Sequence, residues 1–159
     1  MHGIRPARDD DAAALIVLIE GVFDEYPGCV MDVDGEIPEL RRIASYFAEH
    51  DGEFWVAEEG GSVVGCIGYS PATDPTGVEL KKLYVSSSAR QTGLGGALLQ
   101  SVEDAAAKRA AGFIDLWSDT RFETAHRFYA KRGYVKSGAT RELFDKSHTV
   151  EFYFNKPLR

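Results

Sequence analysis

Cysteine is scarce: Cys29 and Cys66 are the only two in 159 residues. Neither sits in a Cys-x-x-Cys or Cys/His ligand spacing, which excludes a disulfide framework and a structural zinc site and predicts a reduced, cytoplasmic setting. Positive charge is also short. Lys and Arg total 18 against 25 Asp and Glu, a net charge of -7, and this acidity argues against nonspecific nucleic-acid binding. No apolar run is long enough to span a bilayer. The apolar stretch 12–19 follows Asp9, Asp10 and Asp11 instead of a basic segment, so neither a targeting segment nor a membrane partner is expected. Repeats, low-complexity tracts and interdomain linkers are missing too, which predicts one domain over residues 1–159. The metalloprotease pattern His-Glu-x-x-His and the nucleophile elbow of serine hydrolases are absent, so no metal site is predicted.

What is present suits a chain that buries a real core: 44% hydrophobic and 27% charged residues, with a mean hydropathy of -0.23. The charge is uneven. Residues 1–60 hold 15 acids and 4 bases, a net -11, whereas residues 61–159 hold 10 acids and 14 bases, a net +4. An anionic ligand is therefore expected in the second part.

Periodicity divides the chain into elements. Residues 4–7 read as a short strand. Asp9 or Asp10 then caps a helix whose apolar residues Leu15, Leu18, Ile19, Val22 and Phe23 follow the i, i+3, i+4 spacing, and Tyr26-Pro27-Gly28 ends it. After a loop over 27–35, Leu40, Ile43, Ala44 and Phe47 mark a second helix ending near Gly52. Short β-rich runs at 54–57 and 63–69, parted by Glu59-Gly60-Gly61-Ser62, form a hairpin. A strand over 78–85 follows. Leu94, Ala97, Leu98, Val102 and Ala105 define a long helix stopped at Gly112, and a strand at 113–117 comes next. The rest reads as a short helix over 122–132 closed by Gly133, then strands at 134–143 and 149–155. The fold class is α/β (α+β): a twisted, mixed, mostly antiparallel sheet of six to seven strands flanked by about four helices, one strand pair being joined by a crossover helix.

The informative segment runs from Leu83 to Leu99, a strand passing through Ser86-Ser87-Ser88-Ala89-Arg90-Gln91-Thr92-Gly93-Leu94-Gly95-Gly96 into a helix. Amides at a helix start lack intrahelical partners, and glycines remove side chains that would keep a phosphate away. Ala97-Leu98 stand where a P-loop needs Lys-Ser or Lys-Thr, and Leu98 occupies the third glycine position of the dinucleotide fingerprint.

Arg90-x-x-Gly93-x-Gly95, entered from the strand Glu79-Leu80-Lys81-Lys82-Leu83-Tyr84-Val85, resembles the acetyl-CoA-binding motif of the GNAT superfamily of N-acetyltransferases. Ala125-His126-Arg127-Phe128-Tyr129-Ala130-Lys131-Arg132-Gly133-Tyr134 is similar to that family's second signature. With Ile4-Arg5-Pro6-Ala7 and the N-terminal helices, the resemblance covers nearly the whole chain. It implies a sheet that splays open beside its fourth strand to admit acetyl-CoA. Amides from Gln91, Thr92, Gly93, Leu94, Gly95 and Gly96 would hold the diphosphate, bordered by Arg90 and Ala97. The backbone of Leu83, Tyr84 and Val85 would meet the pantetheine arm, and Thr120, Ala125 and Phe128 would complete the cofactor site.

Transfer of an acetyl group to an amine needs a neutral amine, a polarised carbonyl and a protonated thiol. The resemblance assigns Tyr129 as the acid that protonates the thiolate and Glu79 as the base. The family asparagine expected after Trp117 is replaced by Ser118-Asp119-Thr120-Arg121, where Ser118 or Thr120 would substitute. For the acceptor, Phe23, Tyr26, Glu79 and Arg121 are the candidate contacts. Two pulls remain open: Asp24, Glu25, Asp32, Asp34 and Glu36 toward a cationic amine, and Arg121 with Arg141 toward a substrate carboxylate. The expected function is N-acetylation of a small-molecule primary amine by direct transfer. A noncatalytic acyl-CoA-binding module and a protein lysine or N-terminal acetyltransferase are the alternatives, and the resemblance is compatible with a homodimer. His2, His50, His126 and His148 read as solvent-facing, and Cys66 as a core residue.

Overall fold

In the computed structural model, which describes residues 3–158, the strands are β1 (Gly3–Pro6), β2 (Glu53–Glu59), β3 (Ser62–Pro71), β4 (Val78–Val85), β5 (Phe113–Asp119), β6 (Val135–Glu142) and β7 (Val150–Pro157). The helices are α1 (Ala12–Phe23), α2 (Val33–Glu36), α3 (Ile43–Glu49), α4 (Leu94–Lys108) and α5 (Glu123–Lys131). The seven strands make one sheet in the order β1-β2-β3-β4-β5-β7-β6, in which every neighbouring pair is antiparallel except β4 with β5. His2 lies outside the described residues.

β3 is buried at every position from Val64 to Ser70, because helices cover both faces of the sheet centre. On one face, Leu94, Leu98, Leu99, Val102 and Ala106 of α4 join Ile67, Leu80, Ile114 and Leu116 in the larger core. On the other, Leu15, Leu18 and Ile19 of α1 pack with Ile43, Phe47, Phe54, Val56 and Cys66. Burying each such side chain contributes about 1.5–3 kcal/mol. Burial pushes the Cys66 thiol up to about 12, so it stays protonated in the core.

The sheet is really two halves. β5 pairs with β7 along seven consecutive residues, whereas β4 meets β5 only at Val78↔Ile114 and Glu79↔Asp115. Past that seam the strands diverge and leave the edge of β4 unpaired. Within the diverging part Lys82 takes a φ of 59°, at the register shift between β3 and β4. This is a β-bulge, which bends a strand and re-aims its neighbours. The Lys82 carbonyl accepts a 3.2 Å hydrogen bond from the Cys66 thiol, and its ammonium pairs with Glu39 at 2.8 Å.

Several local expectations need correction. Asp9 and Asp10 do not cap α1: Asp9 accepts from the Ser45 amide at 2.9 Å. The Asp11 carboxylate instead takes the Arg8 amide at 2.7 Å and the Arg5 guanidinium. The loop predicted over 27–35 contains the start of α2, whose Asp32 side chain accepts from the Gly35 amide. The second helix begins as a 3-10 turn at Pro38–Arg42 and becomes α-helical only at Ile43. α4 stops at Lys108, four residues before Gly112. Ala110 takes the left-handed turn at φ 54°, and the Gly112 amide instead donates to the Thr76 carbonyl at 2.7 Å.

Candidate active site

The gap between β4 and β5 opens on both sides of the sheet. One cleft, of about 490 Å³, runs along the glycine loop and α5. A second, of about 740 Å³, lies under the loops after α1 and between β6 and β7. Leu83, Phe122, Ala125 and Tyr129 line both, so the two clefts meet there.

The first cleft is built around unpartnered amides. No acceptor among the described residues engages the N–H groups of Gln91, Thr92 and Gly93, and the first intrahelical bond of α4 is from Ala97 to the Gly93 carbonyl, 3.0 Å. Leu94, Gly95 and Gly96 therefore leave their N–H groups free as well, as the first turn of any helix does. Left-handed backbone at Gln91 (φ 61°) and Gly93 (φ 84°) turns the chain into α4. The other two glycines admit α5: a Cβ on Gly95 would stand 3.2 Å from the Phe128 ring, and one on Gly96 3.1 Å from the Arg132 guanidinium. That guanidinium lies 3.8 Å over the Phe128 ring.

Four cations, Arg90, Arg127, Lys131 and Arg132, line this cleft, and no carboxylate does. Arg90 is anchored from two directions. Its Nε donates to the Val85 carbonyl at 3.1 Å and its Nη2 to Glu25 at 2.7 Å. An anion entering here meets uncompensated positive charge and a row of free donors, the combination that binds phosphate groups.

Most predicted cofactor residues converge: Leu83, Val85, Arg90, Gln91, Gly93, Gly95, Gly96, Ala125 and Phe128 all line the first cleft, and Tyr129, expected as the acid, and Tyr26, expected at the acceptor, join them. Others fall elsewhere. Leu94 is buried beneath the loop, Ala97 is exposed, and the Thr92 hydroxyl donates to the Ala89 carbonyl. Tyr84 faces the second cleft, packed edge-on against Phe23. Thr120 lines neither cleft; its amide donates to the Val150 carbonyl. Ser118 does line the second cleft, with its hydroxyl 3.2 Å from His126 Nε2. His126 is accordingly half-buried and not solvent-facing. Its Nε2 lies 3.0 Å from the Asp119 carbonyl, and burial lowers its pKa, so the neutral ring donates to that carbonyl and ties α5 to the end of β5.

Tyr129 is 5% exposed, its ring wedged among Phe128, Tyr134 and Phe154. Burial pushes its phenol above the usual range, so the oxygen keeps its proton. Glu79 lines neither cleft. It stands at the closed end of the gap opposite Asp115, and burial raises its pKa, offset in part by Lys81.

Among the acceptor candidates, Phe23 lines the second cleft but Arg121 does not. The Arg121 guanidinium is engaged by Asp119, at 2.9 Å from Nε and 2.7 Å from Nη2. The acids expected to attract a cationic amine are largely engaged too: Glu25 by Arg90, Asp32 by Lys146 at 2.8 Å, Asp34 by Arg41 and Glu36 by the Lys146 amide. The sequence reading missed Arg127, Lys131 and Arg132 as lining residues of the first cleft, although their i, i+4 and i+5 spacing on a short helix was visible.

A family model described as "Acetyltransferase (GNAT) family" matches residues 19–134. A probable N-acetyltransferase 14 from Xenopus tropicalis is 32% identical over 76% of this chain, and the human N-acetyltransferase 8 is 31% identical over 71%. The chain spans 58% and 53% of those two relatives. An IAA acetyltransferase from Azospirillum brasilense is 30% identical over 87% of this chain and 88% of its own length. Among solved structures, a GNAT-family acetyltransferase from Staphylococcus aureus Mu50 superposes with a TM-score of 0.84 at 21% identity, covering all of both chains. PaiA N-acetyltransferase from Thermoplasma acidophilum, solved in complex with coenzyme A, gives 0.75 at 18% over 99% of each chain. The splayed sheet, the free-amide loop and these matches agree: the chain belongs to the GNAT acetyltransferase family.

Proposed function

We propose that this protein transfers an acetyl group from acetyl-CoA to the primary amine of a small molecule, with both substrates bound together across the β4–β5 gap. The observation that carries the reading is the first cleft, where consecutive free amides from Gln91 to Gly96 adjoin four cations, of which Arg90 alone is ion-paired among the described residues. The residues fit coenzyme A: phosphates suit the amides and cations, and the freed edge of β4 at Leu83 and Val85 suits an amide-bearing arm laid alongside it as an extra strand.

Acetyl-CoA, when bound, supplies an acyl group activated as a thioester. The protein's part is to position, polarise and move protons. A β4 amide between Leu83 and Val85 is the donor for the carbonyl oxygen. Tyr129, at the junction of the clefts, donates its proton to the departing sulfur. A phenol with a raised pKa is a weak acid, but the same burial also destabilises the thiolate, so the transfer depends on the phenol being positioned at the sulfur as the bond breaks. Glu79 accepts the proton of the acceptor ammonium through water, since its carboxylate lines neither cleft. A raised carboxylate pKa brings such a base nearer to the operating pH.

A clasp favours a small acceptor over a polypeptide. Ser147 Oγ accepts from the Val30 amide at 2.7 Å, and the Lys146 amide and ammonium bind Glu36 and Asp32. These bonds tie together two loops that both line the second cleft, which restricts entry of an extended chain. Amine-dependent release of free thiol from acetyl-CoA, across polyamines, amino acids, arylalkylamines and peptide N-termini, tests the proposal. Turnover with one class of small amine is expected. Coenzyme A binding with no thiol release for any amine would identify a noncatalytic binding module, and release with peptides alone would identify a protein acetyltransferase.

A further inference from the structure

Most charged groups of the second cleft are ion-paired or hydrogen-bonded within the protein. Asp32 pairs with Lys146, Glu151 with Arg141 and Asp119 with Arg121, Glu36 accepts the Lys146 amide, and Asp145 accepts the amide and hydroxyl of Thr149. Lys82 pairs with Glu39. The exception is Lys81, a half-buried lining residue with no ion pair among the described residues. The acids nearest its strand position, Glu79 and Asp115, sit at the closed end of the gap and line no part of the cleft. A second cation has donors to spare. Arg141 uses its Nε on Glu151 at 2.7 Å and lies 4.4 Å over the Trp117 ring, while its two Nη groups are unengaged among the described residues. The mouth of the same cleft is apolar: Val30, Leu143 and Phe144 are 41%, 42% and 87% exposed, and Phe144 is held there in left-handed backbone at φ 54°.

We infer that Lys81, assisted by Arg141, binds a carboxylate on the acceptor, so that the acceptor is an amine bearing both a carboxylate and an apolar group, such as an α-amino acid with a large hydrophobic side chain. Every carboxylate lining the cleft already accepts a hydrogen bond from the protein, whereas an incoming carboxylate finds an ammonium and a guanidinium edge free to donate, the groups that recognise it. The apolar group occupies the mouth beside Val30, Leu143 and Phe144. This inference rests on the acetyltransferase reading above and narrows it to a substrate class.

The test compares phenylalanine with phenethylamine and phenylalaninamide as acceptors, alongside calorimetry with acetyl-CoA. Phenylalanine is expected to show at least a tenfold higher kcat/KM than either carboxylate-free analogue. Lys81→Met should raise KM for phenylalanine about tenfold, a larger effect than it has on kcat for phenethylamine, and Lys81→Arg should recover most of the loss. Equal or faster turnover of the carboxylate-free amines would overturn the inference, as would a preference that survives both Lys81→Met and Arg141→Gln. Acetyl-CoA binding without turnover of any of the three would overturn it too, leaving the cofactor assignment intact. Failure to bind acetyl-CoA would instead overturn the reading on which it rests.

Discussion

The two clefts that meet at Tyr129 treat charge in opposite ways. The glycine-loop cleft is lined by Arg90, Arg127, Lys131 and Arg132 and by no carboxylate, and among the described residues only Arg90 of the four is held in an ion pair. The second cleft also carries charged groups but engages most of them inside the protein. A surface that must grip a polyanion keeps its cations and amides unspent, at the cost of mutual repulsion. A surface that must discriminate among small molecules neutralises most of its own charge, so that a single unmatched group sets the preference.

The largest expected effect strikes where the clefts join. Tyr129→Phe removes one oxygen from a position lining both. It should lower kcat about 10²–10³-fold while acetyl-CoA affinity, read by calorimetry, stays within about twofold because the ring packing survives. An unchanged kcat would take Tyr129 out of the chemistry. Next comes the backbone of the cofactor cleft. Gly93→Ala meets no atom within 4 Å but must adopt φ 84°, a strain of about 1–2 kcal/mol for a residue with a Cβ. Weaker coenzyme A binding of that size should follow, with acceptor KM unaffected.

Removing cations from one side sharpens the contrast. Arg127→Ala with Lys131→Ala should weaken acetyl-CoA roughly tenfold at low ionic strength, and the deficit should shrink as salt screens the wild-type cleft. A salt-independent deficit would mean that these side chains act through packing. The last test concerns the seam where β4 and β5 still pair. Asp115 is 8% exposed, accepts from the Tyr153 hydroxyl at 2.7 Å through one oxygen and has no partner for the other among the described residues, and burial raises its pKa. The folded state therefore holds the proton more tightly than the unfolded chain. Wild-type protein should be equal to or better than Asp115→Asn below the ordinary carboxylate value near ~3.9, then lose stability relative to it as pH rises through the raised folded value. Urea midpoints between acidic and neutral pH check the sign; a constant difference would show that Asp115 ionises freely in the fold.

Features legible in the sequence were those set by neighbouring residues. The loop from Arg90 to Gly96 was readable because free amides at a helix start depend on a few adjacent residues, and α1 and α4 were readable from one apolar stripe each. The Asp119–Arg121 pair was also within reach, two residues apart, and would have removed Arg121 from the acceptor candidates. Long-range pairings were not legible. Arg90 with Glu25 spans 65 residues and Lys82 with Glu39 spans 43, and nothing in composition indicates that these acids are already engaged. The bulge at Lys82 is equally silent, since a lysine at φ 59° carries no mark of left-handed backbone such as glycine or asparagine would give. The role of the glycines was only half visible: Gly93 serves the turn, but Gly95 and Gly96 also let Phe128 and Arg132 approach α4.

The central claim is that the free amides from Gln91 to Gly96 and the unmatched cations beside them hold the phosphates of coenzyme A. Calorimetric titration with coenzyme A and, separately, with phosphate-free pantetheine tests it most directly. The account predicts a saturable heat with coenzyme A that weakens as salt is raised, and affinity at least a hundredfold lower for pantetheine. Equal affinity for the two ligands, or no heat with coenzyme A, would contradict it.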